Sequence, residues 1–397
     1  MSQNFDAIII GAGVMGASIA FHLAERGLKP AILERKTVAS GATGYSSGLV
    51  RMHYDLAAES ELVFASYKKY FSNWKERVGG GASSSLSASC GFINTGFLKI
   101  VKREYEDKLR GNVANQQRIG INTSVISAAE VKELFPDLAT DHFDFAAYEP
   151  DSGYADATLT TNSFLESAKR NGATLIQNCE VTAIHMAPGR HVTGVNTTQG
   201  DFDAPIVINA AGRWAKHVAS LAGVEVPLET WTHDVAFLHR PPSLGKIPTV
   251  IDDIISCYFR PEGSALILAA SEDDSLRDES PETDEQTPSP KFLENLIDNM
   301  VRRIPKIEES GLQSIHVGRD GLTPDQRAIY SAAGPDGFYL ACGLSGTGFK
   351  TSPAAGACLA ELILDGKPKT VDITPFRFGR FAEGKLLHGE YAYGNIW

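Results

Sequence analysis

The sequence predicts an α/β protein organised around a dinucleotide-binding βαβ unit, and three observations carry that reading. Ala7-Ile8-Ile9-Ile10 is an unbroken apolar, β-branched run, as a central parallel strand needs when both its faces are covered. Gly11-Ala12-Gly13-Val14-Met15-Gly16 follows at once, a G-x-G-x-x-G turn leading into helical periodicity. A second strand, Pro30-Ala31-Ile32-Leu33, ends on Glu34, about twenty residues beyond the turn, where a ribose-binding acid belongs.

In chain order, Gly11 makes the tight turn, Gly13 lets backbone approach a pyrophosphate, and Gly16 lets helix and strand pack closely. Ala17 to Arg26 reads as a helix with Ile19, Ala20 and Leu23 inward and Gly27 at its C-terminal end. Its N-terminus offers unpaired N–H groups, at Val14 and Met15 among others, and partial positive charge for phosphates. Glu34, followed by Arg35, would accept hydrogen bonds from ribose hydroxyls and repel a 2′-phosphate, which disfavours NADP and leaves FAD and NAD open. A second small-residue loop, Ser40-Gly41-Ala42-Thr43-Gly44-Tyr45-Ser46-Ser47-Gly48, lets backbone come close to a further ligand segment such as a pyrophosphate and flavin ring.

The device recurs near the other end. Phe338 to Cys342 reads as a buried strand, Gly343-Leu344-Ser345-Gly346-Thr347-Gly348-Phe349-Lys350 as a glycine loop, and Thr351 to Leu364 as a helix with a broad apolar face. The positive end of that helix suits the negative charge that reduction leaves on a flavin. Two such loops at opposite ends of one chain imply a long cofactor lying across both.

A net charge of −11 without any Lys/Arg run argues against nucleic-acid or anionic-membrane partners. A length of 397 residues predicts about two domains. The five cysteines form no C-x-x-C pair and sit beside no close-set histidines, so neither a metal site nor a disulfide framework is expected, and a reduced, cytoplasmic setting fits. No window approaches the roughly 18 apolar residues of a membrane span, and Asn4 to Gly16 lacks the make-up of a signal peptide. No H-E-x-x-H motif occurs, and Gly343-Leu344-Ser345-Gly346 only approaches a nucleophile elbow. The polar stretch from Ser271 to Pro290 reads as a surface loop.

Beyond the two glycine loops, the segments Thr43–Tyr54, Val207-Ile208-Asn209-Ala210-Ala211-Gly212-Arg213-Trp214, Tyr258-Phe259-Arg260-Pro261-Glu262-Gly263 and Gly321-Leu322-Thr323-Pro324-Asp325 carry a resemblance. With them the chain resembles the D-amino-acid oxidase and sarcosine oxidase superfamily of FAD-dependent amine oxidoreductases, over nearly its whole length. The resemblance implies a discontinuous, Rossmann-like FAD-binding domain (residues 1–90, 146–225 and 318–397) and a substrate domain (91–145 and 226–317) with a mixed, largely antiparallel sheet. It adds Val181, Ala211, Gly212 and Trp214 to the expected cofactor contacts.

Gly48 to Tyr54 looks most like the sarcosine oxidase branch, where an arginine and a lysine grip the substrate carboxylate; those positions fall on Arg51 and Lys350. One planar fork and one point cation suit that task. Tyr258 matches a family tyrosine near the substrate, and His53 stands beside the arginine. The D-amino-acid and glycine oxidase branch would instead place arginines at Thr323 and Gly346, which this chain lacks. The family's covalent FAD cysteine falls on Gly318, so FAD is expected to be noncovalent. The lysine that speeds reaction with oxygen falls on Ile267, which leaves oxygen or another electron acceptor open, and a family histidine falls on Ser271. The expected reaction is oxidation of an N-methyl or cyclic L-amino acid by hydride transfer to flavin N5, giving an imine that hydrolyses. The alternatives are a D-amino acid or glycine oxidase or dehydrogenase, an FAD-binding subunit of a heteromeric dehydrogenase, and an NAD enzyme.

Overall fold

The structure is a computed structural model, and it describes residues 3–79, 89–271 and 279–393. A six-stranded sheet runs in the order Thr174–Ile176, Pro30–Leu33, Ala7–Ile10, Val207–Asn209, Phe338–Cys342, Ile329–Ala332. Its first five strands are parallel and the last is antiparallel. The chain's two glycine loops therefore leave the same sheet edge, because a single strand, Val207–Asn209, separates the strands that feed them. That topology, with ligand loops at the carboxyl ends of parallel strands, is what a dinucleotide crevice requires.

The helices Val14–Glu25, Ala157–Arg170 and Gly348–Asp365 cover one face. Ser18 donates to the Ser352 carbonyl at 2.7 Å, and Gly356 has no room for a Cβ against Ser18, so the two glycine-led helices lie close together. A small four-stranded sheet covers the other face, packing Val195 and Phe202 beneath Ile8 and Val207.

The second large sheet has eight strands, in the order Leu312–Leu322, Glu229–His239, Leu266–Ser271, Cys257–Glu262, Thr249–Asp252, Phe97–Ile100, Phe145–Glu149, Ser124–Ser127. Every neighbouring pair is antiparallel except Thr249–Asp252 with Phe97–Ile100. The fold is thus the mixed α/β architecture expected. The Phe292–Arg303 helix covers one face, while Tyr258, Ile251 and Leu268 on the other look toward Leu49. The expected boundaries at 145/146 and 317/318 fall inside strands of this sheet, which runs on without a break there.

Several elements differ in extent. The first helix starts at Val14 and the last at Gly348, in each case straight from the glycine loop. Pro353 lies inside the last helix and cannot donate to the Phe349 carbonyl, which takes the Ser352 hydroxyl at 2.8 Å instead. The stretch from Ala173 to Ile184 divides at Asn178, whose φ is +56°: Thr174–Ile176 joins the six-stranded sheet and Val181–Ala187 the small one. Of the polar stretch after Ser271, residues 272–278 lie outside the described residues. Its remainder is pinned by carboxylates, Glu279 to Arg319, Glu282 to Arg35 and Asp284 to Arg213. The C-terminal segment packs on the body through Phe376 and Tyr393, and Trp397 lies outside the described residues.

Candidate active site

One elongated groove opens at the shared sheet edge. Its first half is lined by Gly11, Gly13, Val14, Met15, Glu34, Arg35, Ser40, Gly41, Ala42, Thr43, Val181, Ala211, Gly212 and Trp214. Its second half is lined by Val14, Ala42, Thr43, Ser46, Ser47, Arg51, Tyr258, Gly346, Gly348, Phe349 and Lys350. Val14, Ala42, Thr43, Asp320 and Leu344 line both halves, which makes the space continuous from Glu34 to Lys350.

The first half fits the adenosine diphosphate end of FAD. Gly11 has φ +108°, and a Cβ there would meet the Ala210 carbonyl at 2.5 Å; a Cβ on Gly16 would meet the Gly11 carbonyl at 2.0 Å. Gly13 leaves the Val14–Glu25 helix without a side-chain cap, and the Val14 N–H, expected to be unpaired, donates to the Thr43 hydroxyl at 3.1 Å, while Val14 and Met15 both line the groove. Glu34 accepts from the N–H of Ala12 at 2.9 Å and of Lys36 at 2.8 Å, which fixes the carboxylate at the mouth. The Trp214 ring packs against two guanidiniums, Arg35 at 4.1 Å and Arg213 at 4.2 Å from its centroid. Glu282 accepts from Arg35 and from the Trp214 indole at 2.7 Å, and Asp284 from Arg213 at 2.6 Å, so the acidic segment is strapped across this end.

The second half brings two cations together. Arg51 is buried, donates to the His53 carbonyl and stacks on the Tyr54 ring at 4.2 Å. Lys350 is buried in the first turn of the last helix, 3.3 Å from the Gly346 carbonyl, and burial with the nearby Arg51 charge pushes its pKa well below the usual lysine value. An anion between these two cations would relieve both costs. Across the cavity, Tyr258 OH lies 3.0 Å from His233 Nε2, and burial lowers the His233 pKa to about 4, so the imidazole is neutral at pH 7. Behind the cavity, Arg327 bridges Asp55, at 2.7 Å, and Glu59. Burial raises Glu59 to about 7.

Six expected positions do not line the groove. Gly16 packs on Gly11, Gly48 on the Ala155 carbonyl and Gly343 on Thr323. Ser345 holds Thr323, the Thr347 hydroxyl donates to the Leu344 carbonyl, and His53 is buried with Nε2 2.8 Å from Tyr393 OH. Burial and the Lys99 and Arg51 charges push the His53 pKa well down, so His53 is a neutral residue behind the arginine. Gly318 lines the cavity and leaves no sulfur there. Ile267 lies in the core under the Phe292–Arg303 helix, on the sheet face away from the cavity.

Sequence reasoning missed Lys36, Arg213, Trp231, His233, Arg319 and Asp320, all of which line the groove. Arg213 sat within a quoted motif. Lys36 follows Glu34 and Arg35 directly, and for the others the only signal was charge and aromaticity on strands Glu229–His239 and Leu312–Leu322, whose pairing sets Trp231 opposite Asp320.

A family model described as FAD dependent oxidoreductase, DAO, matches residues 6–362. The chain belongs to the DAO family. Human mitochondrial sarcosine dehydrogenase is 30% identical over 98% of this chain, but the match spans 42% of that protein, so the chain covers less than half of it. Glycine oxidase of Geobacillus kaustophilus is 26% identical over 96% of this chain and 98% of its own length. Among solved structures, L-proline dehydrogenase from P. horikoshii superposes with a TM-score of 0.88 at 26% identity, covering 98% of this chain and 100% of that one. The family is one of FAD-dependent oxidoreductases. Among the described residues, no helix is long and apolar enough to cross a membrane.

Proposed function

We propose that this chain is an FAD-dependent oxidoreductase of a secondary-amine amino acid, an N-methyl or cyclic L-amino acid. The observation that carries this is the pair of buried cations, Arg51 and Lys350, at the end of the FAD groove. The first half of the groove would hold the adenosine diphosphate moiety, with Glu34 toward the ribose and the first-turn N–H groups toward the phosphates. The glycine loop from Gly343 to Lys350 would lie along the ring. When bound, the flavin supplies the two-electron acceptor that takes a hydride equivalent at N5 from the carbon beside the amine nitrogen, leaving an imine that water hydrolyses.

The protein's part is positional. Arg51 grips one face of the carboxylate as a fork, Lys350 supplies a second charge, and together they fix the substrate so that the amine end lies over the ring. Tyr258, His233 and Trp231 close the opposite wall with neutral groups, which suits an uncharged alkyl or ring substituent. We assign FAD as noncovalent, because Gly318 and no cysteine lines the second half of the groove. The five buried thiols support a reducing compartment such as the cytosol.

Two of the three relatives' names favour the same class, since sarcosine and L-proline are both secondary amino acids, whereas glycine is a primary one. A D-amino acid or glycine reading is weaker, since Thr323 is buried under Ser345 and Arg327 rather than presented to substrate. Anaerobic reduction of the yellow protein by a panel of N-methyl, cyclic and D-amino acids tests the assignment. Bleaching by sarcosine, L-proline or a close analogue is expected, and bleaching by D-amino acids alone would reject it. Admitting air to the same cuvette then shows whether oxygen or another acceptor is used.

A further inference from the structure

We propose that Asp320 is a catalytic residue of this site: its carboxylate binds the substrate's ammonium group and takes the proton that must leave nitrogen before the neighbouring C–H bond can be broken. This rests on the reading above, in which Arg51 and Lys350 hold the substrate carboxylate, and adds the group that answers the other end of the zwitterion.

The argument starts from position. Asp320 lies near the end of the Leu312–Leu322 strand, opposite Trp231, and lines the groove where its two halves join. Its carboxylate plane is fixed by two backbone donors, the N–H of Gly321 on Oδ1 at 2.8 Å and the N–H of Gly346 on Oδ2 at 2.9 Å. Each oxygen keeps a second lone pair, so both backbone bonds survive when a further donor arrives from the cavity. The Gly346 bond also ties the acid to the loop that carries Lys350, which sets the distance between the acid and a cation that grips the carboxylate.

Charge gives the second step. The charged and titratable groups along this part of the groove are Lys350 on the last helix, Arg51 on the Leu49–Val50 side, Arg319 beside it, His233 and Tyr258 on the sheet, Tyr45 on the loop facing Gly318, and Arg213 toward the nucleotide end. Arg319 is engaged by Glu279 at 2.8 Å and Arg213 by Asp284. Neither His233 nor Tyr258 carries a positive charge at neutral pH. Asp320 is thus the acid beside a neutral wall and two cations, Arg51 and Lys350, that bond to backbone carbonyls but form no ion pair among the described residues, the arrangement that a carboxylate-and-ammonium ligand complements. An ordinary carboxylate would be a poor acceptor for an ammonium proton, but burial raises the Asp320 pKa, opposed by the two N–H bonds and by Lys350. Burial also lowers the pKa of an ammonium ion, so the two groups move toward each other. In the transfer the N–H bond breaks, its electron pair stays on nitrogen, and an O–H bond forms on Asp320.

The test compares amines with ethers that replace the N–H by oxygen: sarcosine with methoxyacetate, and L-proline with tetrahydrofuran-2-carboxylate. Ether binding is read from the flavin absorption spectrum at equilibrium; amine binding and reduction come from anaerobic stopped-flow. Asp320→Asn is expected to bind the ethers within about threefold of the wild type. It should bind and be reduced by the amine about 10- to 100-fold less well, the range for losing a hydrogen bond to a charged group. Its reduction rate should also lack the wild type's fall on acidification, which arises as Asp320 takes up a proton. Asp320→Glu keeps the carboxylate and should recover part of the loss. Equal weakening of ethers and amines in both variants would make Asp320 a purely structural residue and overturn the proposal, as would an Asn variant reduced as fast as the wild type. A wild-type holoprotein that neither amine reduces would instead bring down the underlying reading of the site.

Discussion

Replacing Lys350 by methionine removes one cation from the carboxylate grip while keeping the side-chain length, and its consequences can be worked from the site. Two buried like charges repel each other more strongly than they would in water. In the free protein this repulsion from Arg51 adds to burial, and the two together lower the Lys350 pKa, against the opposing pull of Glu59 and Asp320. A bound carboxylate reverses the sign of the field and raises that pKa again. Above the lowered pKa, binding an anion must therefore draw a proton from solvent. Affinity should fall as pH rises through that range, by up to tenfold per pH unit, and the binding enthalpy should depend on the buffer's ionisation heat. Methoxyacetate is a suitable probe because its own charge does not change above about pH 5. Calorimetry on the holoprotein between pH 6 and 10 should show proton uptake in the wild type and none in Lys350→Met. The variant should bind about 10- to 100-fold more weakly at pH 7, as expected when a hydrogen bond to a charged group is lost. A wild-type affinity that is flat with pH, or a methionine variant that binds within twofold, would refute the placement of Lys350 at the carboxylate.

Three other outcomes follow from the same structure. Gly16→Ala would put a Cβ 2.0 Å from the Gly11 carbonyl, forcing helix and turn apart; a cost of about 1–3 kcal/mol and a purified protein with reduced FAD content are expected from thermal melts and absorbance. Arg327→Met leaves Asp55 and Glu59 buried without their cation, which should cost about 3–5 kcal/mol and lower the melting temperature most at pH above 7, where Glu59, raised to about 7, would ionise. His233, held down to about 4 by burial, contributes stability that is present above its unfolded value of about 6.5 and is lost as pH falls toward 4. The wild type should lose up to about 3 kcal/mol over that interval relative to His233→Gln, as read from urea melts at stepped pH.

The half of the site that rests on backbone chemistry was legible in the sequence. Gly11, Gly16 and Glu34 announce themselves because a turn, a close approach and a strand end each admit few residue types. The Ala7–Ile10 and Phe338–Cys342 strands read clearly because burial on both faces demands unbroken apolar runs. The end of the groove that we assign to substrate was legible only by resemblance, through Arg51 and Lys350. Residues such as Asp320 and His233 carry no local signal: they reach the cavity because Glu229–His239 pairs with Leu312–Leu322 in one register, and a register between strands about eighty residues apart is a tertiary property. His53 shows the converse. Its neighbour Arg51 enters the cavity, but the backbone turns the histidine back against Tyr393, so adjacency in sequence placed it wrongly beside the cavity.

The most direct measurement of the central claim is a crystal structure of the holoprotein with methoxyacetate. The account predicts one FAD spanning the groove, its ribose at Glu34 and its ring beside Gly346 to Lys350, and the ligand's carboxylate between Arg51 and Lys350 with the ether oxygen toward Asp320. A carboxylate bound elsewhere, or a flavin ring that leaves Arg51 and Lys350 out of reach of the ligand, would contradict it.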